Sequence, residues 1–73
     1  SVLAPLGLAL RFARESCGLS QRELARRTGV AHQHISHVEL GRIDLSYSVL
    51  LQLARGMNVP LAAVVADAER RGS

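Results

Sequence analysis

GLSQRELARRTGVAHQHISHVELGR, residues 18–42, holds two short helical patterns joined by a four-residue turn on Gly29. Ser20 followed by Glu23 is a capping box: the hydroxyl accepts from the third backbone amide and the carboxylate reaches back to the cap's own amide. Helix two therefore starts at Gln21. It runs to about Thr28 with Leu24 and Ala25 inward, and Gly29 supplies the positive φ that ends it. Helix three spans residues 32–40. Its N-cap is Ala31, which forgoes a side-chain bond worth ~1 kcal/mol, so packing of Val30, Ile35 and Val38 must fix its start.

Outward from this core stretch, Leu6, Leu10, Ala13 and Cys17 recur at helical spacing over residues 5–17. Pro5 suits a first turn and Gly18 a left-handed stop. Gly41 ends helix three, residues 42–45 form a loop, and Ser46 caps a fourth helix with Val49, Leu50, Leu53 and Ala54 on its apolar side. Residues 56–59 break that pattern. Pro60 then sits in the first turn of a fifth helix, where Leu61, Val64, Val65 and Ala68 line one side before a polar tail. No run alternates with period two for long enough to argue a strand. The expectation is a compact all-α domain of five helices occupying residues 1–73, with the central two-helix motif at 21–40.

The chain has 73 residues and a net charge of +3, with 48% hydrophobic but only 3% aromatic residues. That length is one module, and its core has to come from Leu, Val, Ile and Ala. All nine basic residues are Arg, whose planar guanidinium suits phosphate and carboxylate. Cys17 cannot make an internal disulfide, and its spacing to the three histidines matches no zinc pattern. A reducing, cytoplasmic location with neither metal nor cofactor is expected. The apolar run over residues 2–10 is too short to span a bilayer and lacks the flanks of a signal peptide, so no membrane partner is expected. Ser1, Gly72 and Ser73 read as tag remnants or cut ends, and the absence of an initiator Met points to an excised domain. No carboxylate pair, activated thiol or phosphate-cradling glycine loop argues for an enzyme.

At about 100° of rotation per residue, Ile35, Val38 and Glu39 fall on one side of helix three and Gln33, Ser36 and His37 on the other. His32 and His34 flank the outer face. One stripe can then lock into a core while the remainder presents hydrogen-bonding groups to base edges. Gln21, Leu24, Ala25, Gly29, Val30, Ile35 and Val38 stand where phage-repressor-type helix-turn-helix domains place their determining residues. The chain resembles a Cro-like DNA-binding domain of the XRE family, and the likeness extends to GLSQ at 18–21, ISHVELG at 35–41 and LLQLARGMNVP at 50–60.

That resemblance implies a phage-repressor-like fold and a transcriptional regulator, a repressor more readily than an activator, that docks helix three in the major groove of double-stranded DNA. His32, Gln33 and His37 take the positions that read bases, with Gln33 suited to adenine N6 and N7. Gln21, Arg22, His34, Ser36 and Arg42 are the candidate backbone contacts. Arg14 and Glu39 are assigned to structure, because a lone carboxylate on the inner side of helix three would be costly and an Arg in such domains pairs with it. His32 and His34 lie ~200° apart and cannot share one ion, and although His34 and His37 could at three-residue spacing, DNA contact is the expected role of the histidines. A recognition helix reads few base pairs, so a homodimer on a palindromic operator is expected, with helix five and the loop bearing Leu45, Tyr47 and Met57 either as interfaces or as core of so small a domain.

Two features depart from the resemblance. Asp44 lies in a loop expected near DNA, where it would repel phosphate. Leu40 points outward, which either marks a surface for a protein partner or reflects mutual cover by Leu40 and Leu45. An antitoxin or other protein-interaction module built on the same fold is the alternative function.

Overall fold

Local capping sets most of the helix boundaries. In the computed structural model, which describes residues 2–73, the order is α1 (Leu3–Ser16), α2 (Gln21–Thr28), α3 (His32–Glu39), α4 (Tyr47–Met57) and α5 (Leu61–Gly72), with no strand among the described residues. The fold is all-α, as the sequence periodicity predicts. Gly18, Gly29 and Gly41 have φ of 72°, 76° and 70°, and close α1, α2 and α3 in the left-handed region where a Cβ is disfavoured. Ser46 caps α4 by accepting from the Val49 amide at 3.1 Å. Ser1, read above as a cut end, lies outside the described residues.

Several boundaries differ from the expectation. α1 begins at Leu3, with Pro5 inside its first turn, where a missing N–H costs no intrahelical bond. α3 stops at Glu39, one residue earlier than expected, with Leu40 as its C-cap. α4 passes through Gly56 to Met57, and the left-handed stop is Asn58 at φ 57°. Gly56 reads as a breaker in sequence, but a Cβ there would fall on Thr28 Cγ2, so the absent side chain lets α4 lie against α2. Pro60 is the N-cap of α5 and not its first helical residue. That helix also continues through the expected polar tail to Gly72. Asp67 supports the extra turns by accepting from Arg70 at 3.3 Å and Arg71 at 2.9 Å, and Arg71 lies 5.4 Å from the Phe12 ring centre of α1.

One hydrophobic core joins all five helices. Ala9 and Leu10 of α1, Leu24 of α2, Ile35 and Val38 of α3, Leu53 and Met57 of α4 and Val64 of α5 are buried together, with Leu19 and Val30 from the connections. The expected core omits Ala9 and Leu19 and misplaces Cys17 and Val65. Met57 takes the core alternative and not the interface one, because α4 runs on through Gly56 to Met57. Val65 is 38% exposed, since Val64 takes the inward position on α5. Cys17 sits exposed at the end of α1, its Sγ directed to the Met57 carbonyl at 3.4 Å. No single helix is long and apolar enough to cross a membrane among the described residues.

The crossing of α1 over α3 depends on Gly7. A Cβ on this residue would meet the Val38 carbonyl oxygen and lie 2.6 Å from that of Glu39. Both obstacles are backbone, so they cannot rotate away as a side chain could. Gly7→Ala is expected to destabilise the domain by about 1 to 3 kcal/mol through overpacking, despite the helix propensity it gains. Urea denaturation checks this, and a stability equal to wild type would show that α1 and α3 can separate freely.

Candidate nucleic-acid interface

The two-helix motif begins with the predicted reciprocal cap. Ser20 Oγ accepts from the Glu23 amide at 3.0 Å, and Glu23 Oε1 accepts from the Ser20 amide at 2.9 Å. The Ser20 backbone bond holds the Glu23 carboxyl below its ordinary value, with the Ser20 side-chain bond adding to the shift. At the other end of α2, Thr28 Oγ1 donates to the Leu24 carbonyl at 2.8 Å and accepts from the Val30 amide at 3.2 Å. One hydroxyl thus ties the last turn of α2 to the entry of α3. Sequence reading missed this role, although a Thr directly before a turn glycine is a usable signal for it.

α3 has no side-chain cap at Ala31. Packing holds it: Ile35 and Val38 are 1% and 2% exposed, and Glu39 shares the inward side. On the outer side Gln33 and His37 are exposed, as the angular reading predicts, whereas Ser36 is half-buried. His32 is half-buried at the start of the helix. His34 differs from its expected place on the rim. Its Nε2 is buried with no hydrogen-bond partner, so that nitrogen faces protein and cannot meet a phosphate. Arg22 and Arg42 are exposed, Arg42 beginning the loop after α3 with its amide donating to the His37 carbonyl at 3.0 Å. In that loop Asp44 Oδ1 accepts from the Leu45 amide at 2.8 Å. Leu45 packs against the core and does not bury Leu40, which remains 56% exposed.

Behind the outer face lies a buried polar cluster. Arg14 of α1 donates from Nε to Glu39 Oε2 at 2.7 Å and from Nη2 to Glu39 Oε1 at 2.9 Å, a fork-to-fork pair. Arg14 Nη1 donates to the Leu19 carbonyl at 2.8 Å. The side chains are only 10% and 4% exposed. The bond from Glu39 holds Arg14 above the usual guanidinium value despite burial. Gln21, expected to face solvent and phosphate, instead spends one amide hydrogen inside: Nε2 donates to Glu39 Oε1 at 2.9 Å. Glu39 therefore joins α1, α2 and α3 at one carboxylate. Arg11, absent from the sequence-based set, borders the same cluster and pairs with Glu15 at 3.2 Å on the surface of α1.

Comparison with known proteins agrees with this geometry. The family model described as "Helix-turn-helix" matches residues 10–64. An uncharacterised transcriptional regulator in the ATPase CF(0) region of Rhodospirillum rubrum is 39% identical over 67 residues, covering 92% of this chain and 62% of the relative. An uncharacterised HTH-type transcriptional regulator of Sinorhizobium fredii is 38% identical over 52 residues, 71% of this chain but 26% of that protein. The chain thus spans less than two thirds of these relatives. Among solved structures, the clp gene regulator ClgR from Corynebacterium glutamicum superposes with a TM-score of 0.95 at 29% identity, covering 100% of this chain and 95% of that one. The restriction-modification controller protein C.AhdI from Aeromonas hydrophila gives 0.82 at 31% identity, covering 85% and 94%.

Two outcomes are expected from this geometry. Glu39→Ala strands the Arg14 guanidinium in a buried site and should cost about 3 to 5 kcal/mol in chemical denaturation; a loss under ~1 kcal/mol would mean that the pair is dispensable. The Glu23 carboxyl, being held low in the folded state, contributes stability that is complete above its unfolded value and is lost as pH falls through its lowered folded value. Glu23→Gln should therefore flatten the acid limb of the stability-against-pH curve. An acid limb identical to wild type would assign that loss to other carboxylates.

Proposed function

Because the chain belongs to the helix-turn-helix family, we propose that it is a transcriptional regulator that binds double-stranded DNA sequence-specifically with α3 in the major groove. The observation that carries this reading is the division of α3: Ile35, Val38 and Glu39 anchor one side, and Gln33 and His37 stand exposed on the other. Gln33, Ser36 and His37 put hydrogen-bonding groups and no acidic charge on that outer face. Base edges in the major groove present donors and acceptors that amide and imidazole groups can match. His32, Gln33 and His37 are the proposed base readers. Gln21, Arg22, Ser36 and Arg42 are the proposed backbone contacts, and His34 contributes through its other ring nitrogen or not at all.

The relatives' description as transcriptional regulators supports the same class. We read the regulator as a repressor, since a domain seated on an operator excludes other proteins from that DNA. Eight residues of α3 span only a few base pairs, so specific binding calls for two copies on a palindrome. Tyr47, 69% exposed, and Val65 offer apolar surface for the second copy. A protein-interaction role remains the second reading, favoured by Leu40 standing exposed at the end of α3.

Selection from a random DNA pool tests the proposal, and a palindromic site should emerge. Gln33→Ala should then weaken binding by about 1 to 3 kcal/mol and relax preference at one base position per half-site. Absence of any enriched sequence would remove DNA reading as the function. Enrichment that survives Gln33→Ala and His37→Ala together would move the reading surface off α3.

A further inference from the structure

Three histidines, His32, His34 and His37, sit on α3, and its outer side carries no other titratable side chain. They are not equivalent. His34 Nε2 is enclosed without a partner, so that ring is turned to protein. His32 is half-buried at the first position of the helix. His37 stands exposed one turn after Gln33, and its backbone is fixed, since its carbonyl accepts from the Arg42 amide at 3.0 Å. No side-chain hydrogen bond or ion pair to protein holds its ring among the described residues. The charged groups around α3 are otherwise engaged or basic. On α1, Arg14 pairs with Glu39 and Arg11 with Glu15. On α2, Glu23 is bonded to the Ser20 amide and Arg27 to the Gly56 carbonyl, while Arg22 and Arg26 are exposed. In the following loop Arg42 is exposed and Asp44 accepts from the Leu45 amide. Each carboxylate of these elements thus has a partner other than the His37 ring, which exchanges its proton with solvent.

We propose that His37 is a specificity-determining residue whose proton selects the base it reads: guanine when the ring is protonated, a base that presents an amino hydrogen when it is neutral. The proposal rests on the DNA reading of α3 above and makes its sequence preference depend on pH. A neutral imidazole has one N–H and one bare nitrogen, so it can accept from adenine N6 or cytosine N4, whereas an imidazolium has donors only. In the major groove guanine presents two acceptors, N7 and O6, and cytosine presents a donor at N4. A protonated ring therefore gains at guanine and opposes cytosine donor to donor. Imidazole is the side chain whose ordinary titration falls between about pH 5 and 8, so mild conditions reach both states. Gln33 has a donor and an acceptor that do not titrate, and its preference stays fixed as an internal reference. Added positive charge also attracts phosphate, but that attraction strengthens binding to every sequence alike. A change of base at one position separates the two effects.

Selection from a random duplex pool at about pH 6 and about pH 8, at one ionic strength, tests this, with thermal melting at both values to verify the fold. The guanine-to-cytosine ratio at one position of each half-site should rise about ten-fold at the lower pH, while the position read by Gln33 keeps its preference. His37→Gln exchanges the ring for a group that keeps a donor and an acceptor but does not titrate, and should make the two selections alike at that position. His37→Arg, with donors only, should show at about pH 8 the guanine preference that the wild-type domain shows at about pH 6. Should acid unfold the domain, this variant decides, and no gain of guanine would overturn the proposal. The same base preference at both pH values, or a shift that survives His37→Gln, would also overturn it. So would affinity that rises in acid equally for every sequence. No enriched sequence at either pH would remove the DNA reading itself.

Discussion

The bidentate contact between Arg14 and Glu39 is the constraint on which the arrangement of the first three helices depends. Burying either charge alone would be costly, and together they are tolerable only in good geometry with the remaining hydrogen-bonding groups satisfied. That requirement fixes the end of α3 against α1 to within a hydrogen bond. Gly7 makes the approach possible by leaving room for the Val38 and Glu39 carbonyls, and the Leu19 carbonyl accepts a third hydrogen of the guanidinium. Gln21 then brings the start of α2 to the same carboxylate. A shift of α3 along its axis would break several charge-assisted bonds at once. Apolar contacts, being non-directional, could slide by a fraction of an ångström at little cost.

Such anchoring is needed because α3 is a poor helix by itself. It is eight residues long, has no side-chain N-cap and contains three histidines and a serine. Isolated helices of that length are not stable in water. Its order comes from Ile35 and Val38 in the core, from the Thr28 hydroxyl at its entry and from Glu39 at its exit. The consequence for function is direct. Residues relieved of any duty to support the helix, Gln33 and His37 above all, are free to carry side chains chosen for what they meet outside.

Much of this was legible in the chain. Ser20, Glu23, Gly29, Ser46 and the 3.6-residue recurrence of Leu, Val and Ile act through neighbours within a turn or two, so their meaning does not require the fold. Errors arose where a residue's partner is distant in sequence. Gly56 reads as a breaker but is a point of close approach to Thr28. The stretch over residues 68–73 reads as a tail but stays helical as far as Gly72, with Arg71 reaching Phe12 of α1 as well as Asp67. Gln21 reads as a first-turn residue placed for a phosphate, and nothing local tells that half of its donor capacity goes to a carboxylate 18 positions away.

The sequence by itself determined that the chain is helical, where α2 begins and ends, and which face of α3 is turned inward, because caps and periodicity are short-range physics. Tertiary structure alone decided that Leu45 enters the core while Leu40 does not, that the His34 Nε2 is turned inside, and that Arg11, Gln21, Ser36 and Glu39 border one cleft. These depend on how α1 crosses the motif, a matter of a missing methyl at Gly7 and a fork of two hydrogen bonds, and no local pattern encodes a crossing.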